Sequence, residues 1–312
     1  MDFTKLFGTL WDGFALGALY ALLALGFVII FKATQVVNFA HGAIASVGAY
    51  FVATLAVERD IPGRWTGGPD WLQWSLSVAL ALGFAAVFGL VLERVAIRPM
   101  IGEPLFSVAI ITLGIDITLR SILDDFLGQG RPLNNPFGTD GFELGGVNLP
   151  HTQIISTTVA FLAFLAIGAF LRTRTGIAMR ATAFDQEAAM AQGVRVGRIF
   201  ATAWAIGAVL ATIAGIFAAI YPRGSGNLES GTALFALRAF PAVILGGLDS
   251  IKGAIVGGFI IGALEVLAAV YLGPYSDTLG IGFQSVVPYA VMLVGLLIRP
   301  YGLFGTPEVR RV

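Results

Sequence analysis

Four ionisable side chains interrupt long apolar stretches of the sequence: Asp116, Arg120, Arg238 and Glu265. Asp116 and Arg120 are four residues apart, so their side chains can meet on one face of a helix. An ion inside a bilayer is costly, and we therefore expect these side chains to point into the protein and to pair. Two interpretations stay open. The four residues form structural pairs that fix helix positions, or they lie beside a translocation path where the amino and carboxylate groups of a zwitterion pass.

A second polar group, Asn38 and His41, precedes Gly42 at the start of another apolar stretch. His41 is one of two histidines, cysteine is absent and no carboxylate motif lies nearby, so this is a poor metal site. Acid–base catalysis would need an oriented partner, which the sequence does not offer. We predict no catalytic residue and no metal ligand. Asn38 and His41 are expected to cap or hinge a helix where Gly42 permits a bend, with lining of a path as the alternative.

The composition places most of the chain in lipid. The 312 residues are 57% hydrophobic and 12% charged, with a mean hydropathy of +0.85, whereas about a quarter of residues are charged in soluble proteins. The net charge of zero gives no reason to expect a nucleic-acid partner. Several apolar runs reach the roughly 20 residues that a helix needs to cross a bilayer, so we predict an all-α polytopic membrane protein with about 8–9 transmembrane helices. We expect residues 1–312 to form a single transmembrane domain.

Nine segments have spanning character, and the seventh is the weakest because Arg238 and Pro241 interrupt it. This segment either crosses or forms a broken helix that lines a cavity. A crossing is preferred because it gathers most basic residues of short loops on one side, which is then cytoplasmic. The segments are 11–31, 38–57, 71–92, 105–127, 154–171, 199–220, 228–246, 254–272 and 282–298.

The predicted orientation depends on these basic residues. The cytoplasmic set comprises Lys32, Arg94, Arg98, Lys252, Arg299, Arg310 and Arg311 with the arginines of residues 172–198, against Arg59, Arg64, Arg131 and Arg223 outside. The N-terminus is then outside and the C-terminus cytoplasmic, in a cell (inner or plasma) membrane. Only Lys5 precedes the first apolar run and no small-residue cleavage site follows, so we expect the first helix to be retained.

Residues 172–198 form a loop with five arginines between two apolar runs. Apolar residues recur in it at helical spacing, which predicts a short amphipathic helix, and Gly193 stands where a left-handed cap belongs. Such a helix could lie in a groove on another protein or on the bilayer surface. Its apolar face would comprise Ala181, Phe184, Ala188 and Ala191.

Small residues recur at four-residue spacing near the C-terminus: Gly253, Gly257, Gly258 and Gly262. In lipid, such residues let helix backbones approach closely. We expect them to pack helices within one bundle, with a sliding or subunit-facing role as the alternative.

Six short motifs follow one another along nearly the whole chain. They are Asn38-Phe39-Ala40-His41-Gly42; Glu93-Arg94 with Arg98-Pro99; Ile111-Thr112-Leu113-Gly114; Glu187-Ala188-Ala189 with Gly193; Leu245-Gly246-Gly247 with Ser250, Gly253-Ala254, Gly257-Gly258, Gly262 and Glu265; and Arg299-Pro300 with Gly302-Leu303-Phe304-Gly305. In this order they resemble the branched-chain amino acid ABC transporter permease family (LivH type). Asp249 departs from the family pattern, where a smaller or uncharged residue is common, and residues 128–151 match none of its motifs.

The resemblance implies a permease subunit of an ATP-driven ABC importer that works by alternating access. Its substrates would be branched-chain amino acids, although relatives accept urea or short amides. The implied partners are two cytoplasmic ABC ATPase subunits, a second permease (LivM-like or a copy) and an extracytoplasmic substrate-binding protein. The residues implied to couple to the ATPase are Phe184, Glu187, Ala188, Ala189 and Gly193. The sequence lacks a Gly-x4-Gly-Lys-Ser/Thr loop, so we expect no cofactor in this chain and ATP to be bound by the partner subunits.

The residues alone leave two other classes open. A stand-alone secondary transporter or channel for a small polar solute would need a coupling-ion site within the chain, for which Asp116 or Glu265 would serve. A membrane-embedded enzyme would need a nucleophile–base arrangement or a metal cluster, and neither is visible in the sequence. We therefore expect a transport subunit rather than an enzyme.

Overall fold

A computed structural model describes residues 3–66, 68–100, 103–127, 130–133, 135–138, 140–221, 227–280 and 282–306. Among these residues, seven helices are long and apolar enough to cross a membrane, and two further apolar helices are shorter. The predicted all-α polytopic fold is confirmed. Three residues used to predict the orientation, Arg223, Arg310 and Arg311, lie outside the described residues.

The described ranges contain thirteen α-helices and four short strands. Only a helix satisfies every backbone N–H and C=O within its own segment in lipid, which is why the apolar runs are helical. The helices are α1 Phe3–Thr34, α2 His41–Ala53, α3 Gly63–Thr66, α4 Asp70–Leu92, α5 Leu105–Leu127, α6 His151–Phe170, α7 Arg174–Phe184, α8 Gln186–Ala191, α9 Val196–Ile220, α10 Phe235–Gly246, α11 Ile251–Leu272, α12 Ser276–Leu279 and α13 Val287–Ile298. The strands are β1 Arg131–Pro132, β2 Gly141–Leu144, β3 Val147–Pro150 and β4 Asn227–Leu228.

Helix α1 is the centre of the bundle. Its residues 15–30 are buried on every side, as expected of a helix that is apolar all round. Helices α6, α9, α10 and α11 pack around it. Helices α4, α5 and α6 bury fewer of their residues. The two ends of α1, marked by Phe3 and Lys32, therefore define the two faces of the molecule.

The chain unwinds between α1 and α2. Gln35 has a left-handed backbone (φ 57°), and residues 35–40 are not helical. The backbone N–H of Ala40 donates to the side-chain oxygen of Asn38 at 3.1 Å, and that of Phe39 donates to Thr112 Oγ1 on α5 at 3.2 Å. The ring of His41 lies 4.4 Å from that of Phe27, so α2 begins about two turns inside the Lys32 end of α1.

The seventh predicted segment crosses the bundle as a broken helix. Before α10 the chain pairs β4 antiparallel with β1 and makes a 3-10 turn at Ser230–Thr232. The hydroxyl of Tyr221, just after α9, donates to the carbonyl of Asp12 near the Phe3 end of α1. Lys32 at the other end donates to the carbonyl of Asp249, just after α10. The segment thus spans the distance between the two faces, which agrees with the preferred prediction of a crossing. Its first half is unwound, which agrees with the alternative prediction of a broken helix.

Helix α10 has 12 residues, which is about 18 Å of helix against the roughly 30 Å thickness of a hydrocarbon core. Pro241 lies inside it and has no backbone N–H, so it cannot donate the helical hydrogen bond to the carbonyl of Leu237. The hydroxyl of Tyr289 on α13 donates to that carbonyl at 3.1 Å. At the end of α10, the N–H groups of Leu303 and Phe304 donate to the carbonyls of Leu245 and Gly246. The C-terminal motif therefore caps α10.

Residues 128–151, which matched no motif, include a β-hairpin. Strands β2 and β3 pair antiparallel, and Gly145 and Gly146 both have positive φ (61° and 81°). Two consecutive left-handed residues are what a two-residue hairpin turn requires. The Gly-Gly pair was the sequence signal for this hairpin, which was not predicted.

Candidate functional site

The unwound starts of α2 and α10 meet near the middle of the bundle. A Cβ atom on Gly42 would overlap the carbonyl oxygen of Ala233 and lie 3.1 Å from the Cβ of Ala236. Only glycine allows this approach of a helix start to the chain in front of α10. We refer to this contact between Gly42 and residues 233–236 as the junction.

A narrow cleft lies beside the junction, and three aromatic rings form part of its walls. The ring of Phe240 lies 5.8 Å from that of Phe27 and 6.1 Å from that of Phe39. The free space in the cleft is about 10 Å³, roughly what one water molecule needs. The junction is therefore closed to anything of the size of an amino acid.

Asp116 and Arg120 of α5 supply the charge in this cleft. They form an ion pair along the helix, as their spacing predicted. The Asp116 side chain is largely buried, whereas that of Arg120 is 33% exposed. Arg120 also lines a second, more open cavity of about 420 Å³, so its guanidinium group lies between the closed cleft and the outside of the chain.

Arg238 and Glu265 form a separate cluster that does not line the cleft. Glu265 on α11 is buried and lies 3.7 Å from an Arg238 nitrogen. The hydroxyl of Tyr20 on α1 donates to the other carboxylate oxygen at 2.7 Å. Tyr20 was not among the predicted site residues, although a tyrosine in the middle of an apolar helix signals a buried hydroxyl that needs a partner.

Asn38 and His41 are buried, and neither lines the cleft. Asn38 accepts from the N–H of Ala40 and its carbonyl accepts from the N–H of His41. Both residues shape the turn into α2, where the hinge interpretation put them. Of the residues predicted to line a path, the fold places Asp116 and Arg120 beside the junction.

The loop 172–198 contains two helices rather than the single predicted one. Asp185 has an extended backbone (φ −156°, ψ 110°) and ends α7, and its side chain accepts from the N–H of Ala188 to cap α8. The expected continuous face of Ala181, Phe184, Ala188 and Ala191 was wrong, because this break separates the first two residues from the last two.

The end of α7 and the first turn of α8 present several predicted coupling residues at the surface. Phe184 is 95% exposed, and Glu187 and Ala188 are exposed in the first turn of α8. Ala189 is buried instead. Gly193 has a φ of 83° and its N–H donates to the carbonyl of Met190, so a left-handed glycine ends the helix.

The loop is anchored to the bundle beside α4. Arg98 donates to both carboxylate oxygens of the buried Glu93, at 3.0 Å each, and to the carbonyl of Gly197 at the start of α9, at 2.9 Å. This bidentate ion pair is a geometrically specific contact. It joins the Glu93–Pro99 motif noted in the sequence to the helix that follows the loop.

The sequence as a whole matches a known family. Residues 9–297 match the branched-chain amino acid transport system permease component family. The chain belongs to this family. The high-affinity branched-chain amino acid transport system permease protein LivH of Escherichia coli (strain K12) is 31% identical over 97% of this chain and 96% of its own length.

Two further relatives extend the same match. The permease protein BraD of Pseudomonas aeruginosa is 31% identical, with 96% of each chain covered. The probable permease LivH of Methanocaldococcus jannaschii is 32% identical over 92% of this chain and 89% of its own. The predicted family is therefore confirmed, and the protein is a transport permease rather than an enzyme.

The small residues of α11 pack helices inside this permease. A Cβ atom on Gly253 or Gly257 would overlap the carbonyl oxygen of Gly246 or Ala242 in α10. A Cβ atom on Gly258 or Gly262 would overlap the backbone of Ala21 or Gly17 in α1. The glycines thus hold α11 against α10 on one side and against α1 on the other, within a single chain.

Proposed function

We propose that this chain is a permease subunit of an ATP-driven ABC importer that carries branched-chain amino acids by alternating access. The family match and the names of its relatives support the transport class and the substrate class. The observation that carries the proposed path is the junction, where two unwound helix starts meet beside a charged pair in the middle of a membrane bundle.

Discontinuous helices of this kind build substrate sites in transporters, because the N-terminal end of a half-helix is positive. The substrate's apolar side chain would contact Phe27, Phe39 and Phe240. Its carboxylate would face Arg120 and its ammonium group would face Asp116. Since the closed cleft holds about one water, α10 must move away from α2 before substrate passes.

The loop with α7 and α8 supplies the coupling in this proposal. An exposed phenylalanine beside a short capped helix suits insertion into a groove on a cytoplasmic ATPase. ATP would change the equilibrium between the closed and open junction through its different affinity for the two states. The loop and the C-terminus then face the cytoplasm, and the N-terminus lies outside the inner membrane.

The complete importer would contain two ATPase subunits, a second permease and an extracytoplasmic substrate-binding protein. A permease without an ATP-binding loop cannot hydrolyse ATP itself, so the ATPase subunits are part of the proposal. Selectivity among leucine, isoleucine and valine would depend largely on the binding protein.

Uptake by the reconstituted complex tests this proposal. We expect ATP-dependent uptake of radiolabelled leucine, and a loss of at least about tenfold, 1.4 kcal/mol, in Asp116→Asn and in Arg120→Gln. The double variant should lose uptake as much as either single variant, because both groups contact substrate. Asp125→Asn, exposed on the same helix, is the matched control.

Two results would count against it. Absence of ATP-driven uptake in the unmodified complex would overturn the transport function. Recovery of uptake in the double variant, with normal membrane insertion, would mean that Asp116 and Arg120 serve only to neutralise each other.

A further inference from the structure

The second half of α10, residues 242–246, is fixed to its neighbours by backbone contacts. A Cβ atom on Gly253 or Gly257 of α11 would overlap a carbonyl oxygen of this half. The N–H of Phe304 donates to the carbonyl of Gly246 at 3.0 Å, so the C-terminal segment holds the same end. Helices that touch at glycine have no side chain between them that could adjust. The second half of α10 and α11 therefore form one unit.

The first half of α10, residues 235–240, contacts its neighbours through side chains. The ring of Phe235 lies 5.0 Å from that of Tyr20, and the ring of Phe240 lies 5.8 Å from that of Phe27. The chain directly in front of this half is not α-helical. Side-chain contacts can separate and re-form through changes of rotamer, so the first half is held less rigidly than the second.

Pro241 separates the two halves. Because it has no backbone N–H, the carbonyl of Leu237 lacks its helical partner, and the hydroxyl of Tyr289 on α13 donates to that carbonyl at 3.1 Å. A proline that removes a helical hydrogen bond is a common cause of a sharp bend in a helix. The helix can therefore bend here without losing the hydrogen bond that normally resists bending.

Arg238 connects the first half of α10 to a fixed acceptor, Glu265. The Oε2 atom of Glu265 on α11 accepts from the hydroxyl of Tyr20 on α1 at 2.7 Å. Helices α1 and α11 are in backbone contact at Gly258 and Gly262, so this carboxylate and this hydroxyl stay together. Arg238 Nη1 lies 3.7 Å from Oε1, which is too long for a hydrogen bond. Arg238 can therefore move away while Tyr20 still donates to the carboxylate.

We propose that α10 opens the junction by bending at Pro241, and that the ion pair of Arg238 and Glu265 is the latch that holds its first half closed; this rests on the proposed function. The first half swings away from α2, and the second half stays on α11. Arg238 and Glu265 are then positioning residues that act on the gate and do not contact substrate.

The positions of the two halves give the direction of opening. Lys32 donates to the carbonyl of Asp249, just after the fixed half, so the fixed half lies toward the Lys32 end of α1 and the moving half toward the Phe3 end. Bending therefore opens the cleft to the Phe3 side, from which a binding protein delivers substrate in the proposed orientation. The fixed half keeps the Lys32 side closed during this movement.

Labelling of single cysteines tests the hinge. The chain has no cysteine of its own, and Ala236 in the first half and Val243 in the second half are both buried. We compare maleimide labelling of Ala236→Cys and Val243→Cys in proteoliposomes of the complete complex without ATP, each relative to its rate in the unfolded protein. Ala236→Cys should label at least about tenfold faster, a difference of 1.4 kcal/mol in the free energy of opening. Equal rates would mean that α10 moves as one rigid helix and would overturn the hinge.

Replacement of Pro241 by alanine tests the hinge in the opposite direction. Pro241→Ala restores an N–H for the carbonyl of Leu237. It should slow the labelling of Ala236→Cys and the uptake of leucine by about fivefold, the shift that one net hydrogen bond gives, without lowering the midpoint of thermal unfolding. Pro288→Ala is the matched control, because Pro288 lies in the first turn of α13, where an N–H has no helical acceptor. Unchanged or faster labelling in Pro241→Ala would contradict the hinge.

Removal of the latch should speed opening. Arg238→Gln, Glu265→Gln and the double variant should each raise the labelling rate of Ala236→Cys by at least about twofold, as expected for a partly exposed ion pair. All three should agree, because they lose the same contact. Lys252→Gln, exposed on α11, is the matched control. A lower midpoint of thermal unfolding with unchanged labelling in the folded fraction would show a purely structural pair and overturn the latch.

The labelling measurements need neither ATP nor leucine, so they separate this inference from the proposed function. If the contrasts in labelling hold and the unmodified complex shows no ATP-driven uptake, the hinge stands and the proposed function fails. If uptake is normal and the contrasts are absent, the hinge is wrong and the proposed function stands.

Discussion

Replacement of Gly42 by alanine tests whether the junction is a closed gate. The added Cβ would overlap the carbonyl oxygen of Ala233 and lie 3.1 Å from the Cβ of Ala236. Overpacking of this kind costs about 1–3 kcal/mol. If that cost falls on the closed arrangement alone, the ratio of open to closed junctions rises about 5–150-fold.

A single cysteine reports the opening of the junction. The chain has no cysteine of its own, and Ala236 is buried at the junction. We measure the rate of maleimide labelling of Ala236→Cys in proteoliposomes without ATP, with and without Gly42→Ala. The rate should rise at least about fivefold with Gly42→Ala, the lower end of the range expected for 1 kcal/mol.

Gly48→Ala is the matched control. Its Cβ would lie 2.6 Å from the Cβ of Thr212 on α9, so it overpacks the same helix away from α10. It should lower the thermal stability of the permease and leave the labelling of Ala236→Cys in the folded fraction unchanged. Equal labelling with and without Gly42→Ala, in protein that folds normally, would refute the gate.

Two further substitutions test the coupling loop and the buried cluster. Gly193→Ala places a side chain on a left-handed residue (φ 83°), which costs about 1–2 kcal/mol. The number of leucine molecules transported per ATP hydrolysed should fall while ATP hydrolysis continues. An unchanged ratio would contradict a coupling role. Tyr20→Phe removes the hydroxyl that donates to Glu265, which costs about 1–3 kcal/mol. The midpoint of thermal unfolding should fall relative to the exposed control Tyr275→Phe, and an equal midpoint in both variants would show that the hydroxyl contributes nothing to stability.

Local sequence features predicted the local parts of the site. The four-residue spacing of Asp116 and Arg120 was enough to predict their ion pair, since helix geometry alone brings such residues together. Gly193 was placed at a helix cap because glycine adopts left-handed backbone most easily. The break at Asp185 was missed, although an aspartate that can cap the next helix was visible, because the apolar spacing across it suggested one continuous helix.

The amino-acid pattern alone was enough to predict a helical membrane bundle, because apolar runs of spanning length have no other stable form in lipid. It also located a hinge near Gly42 and a weak seventh segment. That the unwound starts of α2 and α10 meet became visible only in the folded chain. Tertiary packing also placed Tyr20 against Glu265, 245 residues away. Spacing along one helix says nothing about which distant helix will pack against it, and the closed cleft depends on such distant contacts.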